Sequence, residues 1–288
     1  MLLKKKHFVN FKINWIKKSL NISKIAEELD LGLDSFVFWD DNPLERNLVR
    51  KILPAVITIE PDKEIINWAS QLSKTEAFSS FDINSEKVNQ TKRYKARAKF
   101  INDKNTAKDE YGYLKSIKLK ANLNKVSKIF INRASEMTIK TNQLNLRTQR
   151  YTVSDFTNII YDKNYYSFII NLRDIYADHG LVGLIVLKKL NSKYVFLDTF
   201  LMSCRVIGRY FEVKMFDFIK KFCEKNNFEF IIGEYIPTKK NIMSKNILSE
   251  IGFVKLNKKI NNIDYKNNKN SFIAEVSKIQ QKFKDLYD

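Results

Sequence analysis

The first 66 residues alternate between segments of helical and of strand periodicity. Apolar positions recur every three or four residues over 22–29 and 44–53, which predicts two helices, and prolines bound the second. Two short runs, at 35–39 and 55–59, are apolar without alternation, as expected of strands buried on both faces. The order helix, strand, helix, strand predicts part of an open α/β sheet.

Residues 67–128 are polar and lysine-rich with weak helical patterning, and we interpret them as connector helices. Strand and helix patterns resume over 129–275, which predicts a second domain with a mixed sheet. A turn-rich stretch at 261–270 precedes a tail over 276–288 that is predicted to be helical. The other elements predicted after the connector are strands over 128–132, 166–173, 181–188, 194–201, 228–235 and 253–256, and helices over 211–225 and 242–251.

Composition limits the class of protein. The chain has 288 residues, of which 44% are hydrophobic, enough to bury a core. No run of about 18 uncharged apolar residues occurs, so we expect no membrane span, and the start does not resemble a secretory signal. Cys204 and Cys223 have the spacing of neither a zinc site nor a disulfide framework, so we expect a protein of the reducing cytoplasm.

The net charge of +19 has more than one interpretation. Lysine, asparagine and isoleucine increase together when A/T-rich codons dominate, and the lysines are spread along the chain. Only 87–99 is locally dense, with a pattern typical of the solvated face of a helix. The alternative is attraction to an acidic protein partner. A nucleic-acid partner is disfavoured, because the sequence has no zinc knuckle, helix-turn-helix spacing or stacking-aromatic motif.

Two adjacent acids, Asp40 and Asp41, follow the predicted strand at 35–39. Carboxylates at the carboxyl end of a strand lie at the ligand edge of an open α/β sheet, and their oxygens are ligands suited to Mg²⁺. The alternative is a turn that caps the next helix, because Asp-Asn-Pro is favourable turn chemistry. The pattern is consistent with both.

A candidate anion site follows the predicted strand at 194–201. Arg205 and Gly208 lie in a short loop before the helix at 211–225, whose first N–H groups have no partner within the helix. Cys204 in the same loop is a candidate acyl-accepting thiol, with a packing role as the alternative. The loop alone does not decide between a ligand site and a simple turn.

Other polar residues are candidates for chemistry. Glu234 at a strand end is a candidate general base or the partner of a lysine. Asp178 is suited either to substrate contact or to capping a glycine turn, and its neighbour His179 is expected to face solvent. A polar string either binds substrate amides or satisfies buried backbone groups. Its candidate residues are Thr141, Asn142, Gln143 and Asn145.

The string at 14–50, NWIKKSLNISKIAEELDLGLDSFVFWDDNPLERNLVR, resembles one known family. It is similar to the second half of the haloacid-dehalogenase-type (HAD) phosphatase domain, subfamily IIIC, of FkbH-like proteins. The resemblance implies that Lys18 stabilises a transferred phosphoryl group and that Asp40 and Asp41 help to hold Mg²⁺. The nucleophile loop of that family, Asp-x-Asp-x-Thr, does not occur in the sequence, so we expect no phosphatase activity from this chain alone.

The resemblance extends through the second half of the chain, where the FkbH-like family is similar to GNAT acyltransferases. Its most specific strings are KTNQLNLRTQRYT at 140–152, DHGLVG at 178–183 and GEYIPTKKN at 233–241. The resemblance implies that Asn241 contacts a pantetheine arm. The residues implied to hold the phosphates of CoA or of a phosphopantetheine thioester are Arg205, Gly208 and Arg209. Tyr210 departs from the pattern, which has a small residue there, and Leu248 replaces a proton-donating tyrosine.

These features predict an α/β chain in which a partial HAD-like, Rossmannoid segment precedes a GNAT-like mixed α/β domain. The resemblance implies an acyltransferase that acts on a thioester of CoA or of an acyl carrier protein, in secondary-metabolite or cell-surface polysaccharide biosynthesis. The alternative is a non-catalytic carrier-docking subunit that complements a separate protein supplying the missing HAD half. A nucleic-acid-binding protein is the least favoured.

Overall fold

The structure is a computed structural model that describes residues 4–29, 31–78, 90–257, 260–261, 263–265, 268–280 and 282–287. The chain divides into two units, Met1–Thr106 and Ala107–Asp288. The predicted domain limits do not coincide with this division and stay predictions. No helix in the described ranges is long and apolar enough to cross a membrane.

The first unit contains a small parallel sheet in which β1 (Val37–Trp39) pairs with β2 (Ile57–Ile59). Asn42 caps the helix between these strands, because its side chain accepts a hydrogen bond from Leu44 N at 2.9 Å. Val49 of that helix is fully buried in the core of the unit. Among the described residues of the first unit, the α-helices are α1 (Lys18–Leu29), α2 (Pro43–Ile52), α3 (Trp68–Lys74) and α4 (Gln90–Thr106). The predicted order of helices and strands is confirmed over the first 66 residues, and of the basic stretch at 87–99 only residues from 90 onwards lie within the described ranges.

The second unit is built on a seven-stranded sheet with the order β3-β4-β5-β6-β7-β9-β8. Only β6 and β7 are parallel neighbours, and all other pairs are antiparallel. The strands are β3 (Lys120–Lys125), β4 (Tyr165–Arg173), β5 (Asp178–Lys189), β6 (Tyr194–Met202), β7 (Phe230–Glu234), β8 (Val254–Lys255) and β9 (Ser271–Glu275). The helices are α5 (Glu110–Ser116), α6 (Ile131–Lys140), α7 (Val153–Tyr161), α8 (Phe211–Lys225) and α9 (Ile247–Glu250). The predicted α/β class with a mixed sheet is confirmed.

Helices cover both faces of this sheet. Leu184 of β5 is buried in a cluster with side chains of α6 and α7. Its neighbour Ile185 lies beside Phe222 of α8, and on β6 the ring of Phe200 stacks on Phe216 with 4.6 Å between centroids. Because successive side chains of a strand point to opposite faces, α8 packs on the face opposite α6 and α7.

The strand predicted over 128–132 is wrong. Residues 128–130 form a 3₁₀ turn, and α6 begins at Ile131. The buried positions of α6 recur with helical spacing, which places one face of the helix in the core. These positions are Ile131, Ala134, Ser135, Met137 and Thr138.

Two strands were not predicted. β3 lies inside the range 67–128 that the pattern assigns to helices, and its sequence KANLNK is poor in strand-forming residues. It forms because it pairs along β4, with Lys120 opposite Arg173. β9 lies between β7 and β8, after the turn-rich stretch. In the tail predicted to be one helix, the described residues form short 3₁₀ turns, Val276–Lys278 and Lys284–Tyr287.

Candidate functional site

The parallel strands β6 and β7 separate after four paired positions. Tyr194 to Leu197 pair with Phe230 to Gly233, after which β6 continues to Met202 while β7 ends at Glu234. A register shift against β5 leaves Asp198 as a bulge at the point of separation. In open α/β sheets, ligands bind in the crevice outside the carboxyl ends of such strands. The fold therefore places a candidate site in the second unit.

The chain itself occupies part of this crevice. The segment 144–146 runs beside β6, where Leu146 N donates to Phe200 O at 3.2 Å and Met202 N donates to Leu144 O at 2.9 Å. On its other side, Ile236 N donates to Leu146 O at 2.8 Å. If β6 offered a free edge to a thioester, the backbone carbonyl of Phe200 and the N–H group of Met202 would have to be exposed. The segment instead continues the sheet across the gap.

Asn241 holds this inserted segment in place. Its side chain is fully buried, and Nδ2 donates to Asn145 O and to Ile236 O, both at 2.9 Å. Nearby, Ser244 Oγ donates to Gln143 O at 3.0 Å, while Asn145 Oδ1 accepts from Thr148 N at 2.8 Å. The side-chain amides of Asn241 and Asn145 therefore satisfy backbone groups of the protein. For the polar string at 141–145 this was one of the two alternatives, the other being contact with substrate amides.

The remaining two residues of the string also make internal contacts. Thr141 O accepts a hydrogen bond from Asn145 Nδ2 at 3.2 Å, and Asn142 Oδ1 accepts one from Arg150. Arg150 also donates to the carbonyl of Ile139, near the end of α6. The string from 141 to 145 therefore connects α6 to the inserted segment.

A charged cluster lies where β6 and β7 separate. Arg147 Nη1 donates to Asp198 Oδ1 at 2.7 Å, and its Nε lies 2.9 Å from Glu234 Oε2. The side chains are 18%, 9% and 7% exposed for Arg147, Asp198 and Glu234 respectively. The guanidinium also lies over the ring of Phe196, 4.8 Å from its centroid. One arginine thus bridges two carboxylates, of which sequence reasoning had selected Glu234.

Two tyrosines complete the cluster. Tyr151 OH donates to Asp198 Oδ2 at 2.6 Å, and Tyr265 OH donates to Glu234 Oε1 at 2.8 Å. Burial and the adjacent Asp198 raise the pKa of Tyr151 well above its ordinary value. Burial and Glu234 do the same for the pKa of Tyr265, against an opposing effect of Ser271. Both phenols therefore stay protonated at neutral pH and act as hydrogen-bond donors.

Sequence reasoning did not single out Arg147, Tyr151, Asp198 or Tyr265. One local signal was available, because Asp198 is the only charged residue in the otherwise apolar strand YVFLDTFLM. A buried carboxylate within a strand requires a partner. Nothing local identified that partner, since Arg147 lies 51 positions earlier in the chain.

The loop between β6 and α8 has the predicted strand–turn–helix geometry. Ser203 Oγ accepts from Arg205 N and from Arg205 Nε, the latter at 3.0 Å. Gly208 has a φ of 84°, and Tyr210 at the start of α8 adopts a left-handed φ of 52°. Tyr210, which departs from the GNAT pattern, stacks on Phe283 with 4.4 Å between centroids. The side chain of Arg205 therefore folds back on its own loop. Gly208 has the positive φ that favours glycine, as the predicted loop requires.

A buried ionic cluster supports this loop. Asp174 Oδ2 lies 2.8 Å from Arg209 Nε and 2.9 Å from His179 Nε2. The prediction that His179 faces solvent is wrong, because the residue is buried, and burial is the main cause of its lowered pKa. Arg209 points into the protein, where Tyr287 OH donates to its carbonyl at 2.8 Å. Its buried guanidinium lies beneath the loop, where it pairs with Asp174.

Asp178 and the two cysteines have local roles. Asp178 is exposed, and its Oδ1 accepts from Gly180 N at 2.8 Å, which is the turn-capping alternative. Neither cysteine forms a disulfide. Cys204 is partly buried in the loop, whereas burial raises the pKa of Cys223 on α8 to about 12. Leu248, which replaces a proton-donating tyrosine, is a fully buried core residue.

The first unit brings Lys18 and Asp40 together. Their side chains form an ion pair, and the hydrogen bond that Lys18 donates to Asp40 is the main cause of the raised pKa of Lys18. Arg46 Nη1 donates to the carbonyls of Asp40 and Asp41, both at 2.8 Å. Within the described ranges, no group of three or more metal-ligating side chains occurs. That Asp40 and Asp41 help to hold Mg²⁺ stays a prediction.

No protein-family model matches the chain, and no curated protein matches it. Solved structures do match parts of it. An acetyltransferase of the GNAT family from Staphylococcus aureus Mu50 is 14% identical over 54% of this chain and 99% of its own, with a TM-score of 0.43. The spermidine/spermine N-acetyltransferase SpeG from Vibrio cholerae is 14% identical over 55% of this chain and 95% of its own, with a TM-score of 0.40.

Another match is a structure with a phosphatase domain. The N-terminal part of protein BF1531 from Bacteroides fragilis contains a phosphatase domain and was crystallised with Mg. It is 36% identical over 29% of this chain, with a TM-score of 0.28. The match covers 22% of that structure.

Proposed function

We propose that the second unit is an acyltransferase that uses a thioester of CoA or of an acyl carrier protein. The observation that carries this proposal is the cluster of Arg147, Asp198 and Glu234 at the point where β6 and β7 separate. It combines proton-accepting carboxylates with protonated phenols in a crevice of the kind that binds ligands in α/β folds. The resemblance to FkbH-like proteins supplies the biosynthetic context of secondary metabolites or cell-surface polysaccharides.

The chemistry assigned to the cluster is proton transfer during acyl transfer. A nucleophilic acceptor attacks the thioester carbonyl, the carbon–sulfur bond breaks, and the thiolate leaves. Glu234 accepts the acceptor's proton, with Arg147 fixing the carboxylate and Tyr265 donating to its other oxygen. The departing thiolate takes its proton from solvent, because the hydroxyl of Tyr151 donates to Asp198 and the raised pKa of this phenol keeps it protonated.

The loop between β6 and α8 is the proposed phosphate site of the donor. Because Gly208 has no side chain, a ligand can approach the backbone there, and the N–H groups at the start of α8 suit an anion. Arg205 adds a positive charge there, and Arg209 positions the loop through Asp174. Cys204 remains a candidate acyl acceptor. A stable acyl mass adduct that Cys204→Ala abolishes would establish that role, and we expect no adduct.

The second candidate function is a carrier-docking subunit without acyl-transfer activity. The observation that favours it is the inserted segment 144–146, which takes the hydrogen-bonding edge of β6. In that case the first unit, with its Lys18–Asp40 pair, complements a separate protein that supplies further Mg²⁺ ligands and a phosphatase nucleophile. For the first unit alone we propose no phosphatase activity.

The deciding experiment measures thiol release by chromatography. The full chain is incubated with acetyl-CoA or with an acylated carrier protein and a panel of amine and hydroxyl acceptors. Glu234→Gln should lower the rate by about 10²-fold or more, whereas Glu229→Gln, a matched change at an exposed position just before β7, should not. Absence of turnover with every donor favours the docking subunit. Equal rates for the two variants would show that the cluster is not the active site.

A further inference from the structure

Two arginines from distant parts of the chain contact the same backbone oxygen. Arg133 Nη2 donates to Leu181 O at 3.3 Å, and Arg205 Nη2 donates to the same atom at 3.4 Å. Arg133 lies on α6, Arg205 lies in the loop between β6 and α8, and Leu181 belongs to β5. Three elements of the second unit thus bring two guanidinium groups together. Such a pairing of like charges is unfavourable unless anionic groups compensate it.

The carboxylate beside this pair is shared with a third cation. Glu136 Oε2 accepts from Arg133 Nη1 at 2.7 Å, and its other oxygen accepts from Lys140 one turn later. A carboxylate that is divided between two cations neutralises neither of them completely. Asp178, three residues before Leu181, is exposed, and its carboxylate caps the turn that follows it. An additional anion would therefore complement the charge of the two arginines.

Both guanidinium groups are held in place and are partly accessible. The side chain of Arg133 is 19% exposed, and Arg205 is partly buried. Arg205 Nε donates to Ser203 Oγ at 3.0 Å while its Nη2 reaches Leu181 O, so two sides of this guanidinium are fixed. Because both planar groups are positioned before a ligand arrives, little side-chain entropy is lost on binding.

We propose that Arg133 and Arg205 form a binding site for an oxyanion, a phosphate or carboxylate group, between α6 and the loop after β6. Each guanidinium presents parallel N–H donors, which match the paired oxygens of such a group. A charged oxygen is a stronger acceptor than the neutral carbonyl of Leu181 that the two arginines share. The oxyanion belongs either to the phosphates of the thioester donor or to an anionic acceptor. The identity of this biological ligand rests on the proposed function.

The test titrates the full chain with inorganic phosphate by calorimetry. Arg133→Gln should weaken binding about tenfold or more, because charge-assisted donors are lost, and Arg133→Lys should recover only part of the affinity. Glu136→Gln should act in the opposite direction and tighten binding about threefold, because it removes the carboxylate that competes for Arg133. The charge-matched control is Lys163→Gln, an exposed position before β4, at the end of that strand distant from Asn171, the partner of Leu181. This control should bind phosphate as wild type does.

Two further titrations distinguish the sources of the oxyanion. CoA contains phosphates and pantetheine contains none, so a donor site predicts that Arg133→Gln weakens the binding of CoA and not that of pantetheine. An acceptor site predicts that inorganic phosphate still binds, and still depends on Arg133, when CoA is saturating. Either result supports the site.

The inference is overturned if wild-type protein binds no phosphate, if Arg133→Gln binds it as wild type does, or if the Lys163→Gln control loses as much affinity. If Arg133→Gln does not fold, as judged by circular dichroism, Arg133→Lys and Glu136→Gln decide the question, and weaker binding by Glu136→Gln contradicts the site. Thiol release from acetyl-CoA is measured separately. Turnover without Arg133-dependent phosphate binding overturns the site alone, whereas Arg133-dependent phosphate binding without turnover leaves the site in place and counts against the acyltransferase.

Discussion

Replacing Arg147 with methionine should destabilise the second unit strongly. The substitution retains much of the side-chain volume but removes the charge that bridges Asp198 Oδ1 at 2.7 Å and Glu234 Oε2 at 2.9 Å. Both carboxylates are more than nine-tenths buried as side chains, so they would lose their shared counter-ion without gaining full hydration. Breaking a buried ion pair in this way costs about 3–5 kcal/mol.

Other hydrogen bonds reduce the expected loss to the lower end of this range. Tyr151 and Thr199 still donate to Asp198, and Tyr265 and Asn268 still donate to Glu234. We therefore expect the free energy of unfolding to fall by about 3 kcal/mol. Arg147→Met/Asp198→Asn should recover part of that loss, because one of the unpaired charges is removed.

The assay must report on the second unit. All three tryptophans, at positions 15, 39 and 68, lie in the first unit, so their fluorescence follows that unit alone. Urea unfolding is therefore measured by circular dichroism, with fluorescence recorded in parallel. Arg173→Met, at an exposed end of β4, is the control and should change stability by about 0.5 kcal/mol or less. A loss for Arg147→Met no larger than that of the control would refute the assigned role.

Three further predictions concern the loop between β6 and α8, the ionic cluster that supports it, and the buried thiol of α8. Burial alone would raise the pKa of Asp174, but His179 and Arg209 outweigh it and hold the pKa at about 2. Because the folded value is depressed, wild-type stability should fall as pH drops from about 4 towards 2. Asp174→Asn should lower Tm at pH 7 and reduce that acid dependence in thermal scans. Cys223, with its pKa raised to about 12, should resist iodoacetamide at pH 8 until the protein unfolds; labelling at the rate of a free thiol would contradict its burial. Gly208→Val should abolish CoA binding in calorimetry, since φ of 84° disfavours a β-branched residue, and unchanged affinity would exclude this loop as the phosphate site.

The central elements of the second unit were predictable because each carries its own signal. The pattern predicts a helix over 211–225, and α8 has these bounds. The strands β4, β5 and β6 were predicted within three residues of their ends, since long apolar runs between turn residues specify buried strands. In these elements local pattern and tertiary burial agree.

The edges of the sheet were not predictable in the same way. β3 exists because β4 offers an unpaired edge, and its own residues, KANLNK, favour no strand. The strand predicted over 128–132 failed for the opposite reason. Short apolar segments fit both periodicities, and only the core under α6 decides between them.

In the candidate site, too, residues with a local sequence signal were predictable and residues defined by long-range contacts were not. Glu234 was selected because it stands at a strand end, and the lysine considered as its partner is in fact Arg147. Asn241 was assigned to a pantetheine arm by resemblance, whereas its amide satisfies Asn145 O and Ile236 O. That contact joins residues 96 positions apart, a distance over which no local pattern carries information.

Arg147 also constrains how a donor can reach the cluster. It follows directly on the inserted segment 144–146, so a thioester that displaced this segment from β6 would remove the counter-ion of Asp198 and Glu234 at the same time. The loss would be comparable to that of Arg147→Met, about 3 kcal/mol, and it would disable the groups that we propose move protons. Acyl transfer at the cluster therefore requires the segment to stay in place. Hydrogen exchange at the amides of Leu146 and Met202 should remain slow when acyl-CoA is added, and faster exchange would mean that the segment leaves and that the cluster is structural.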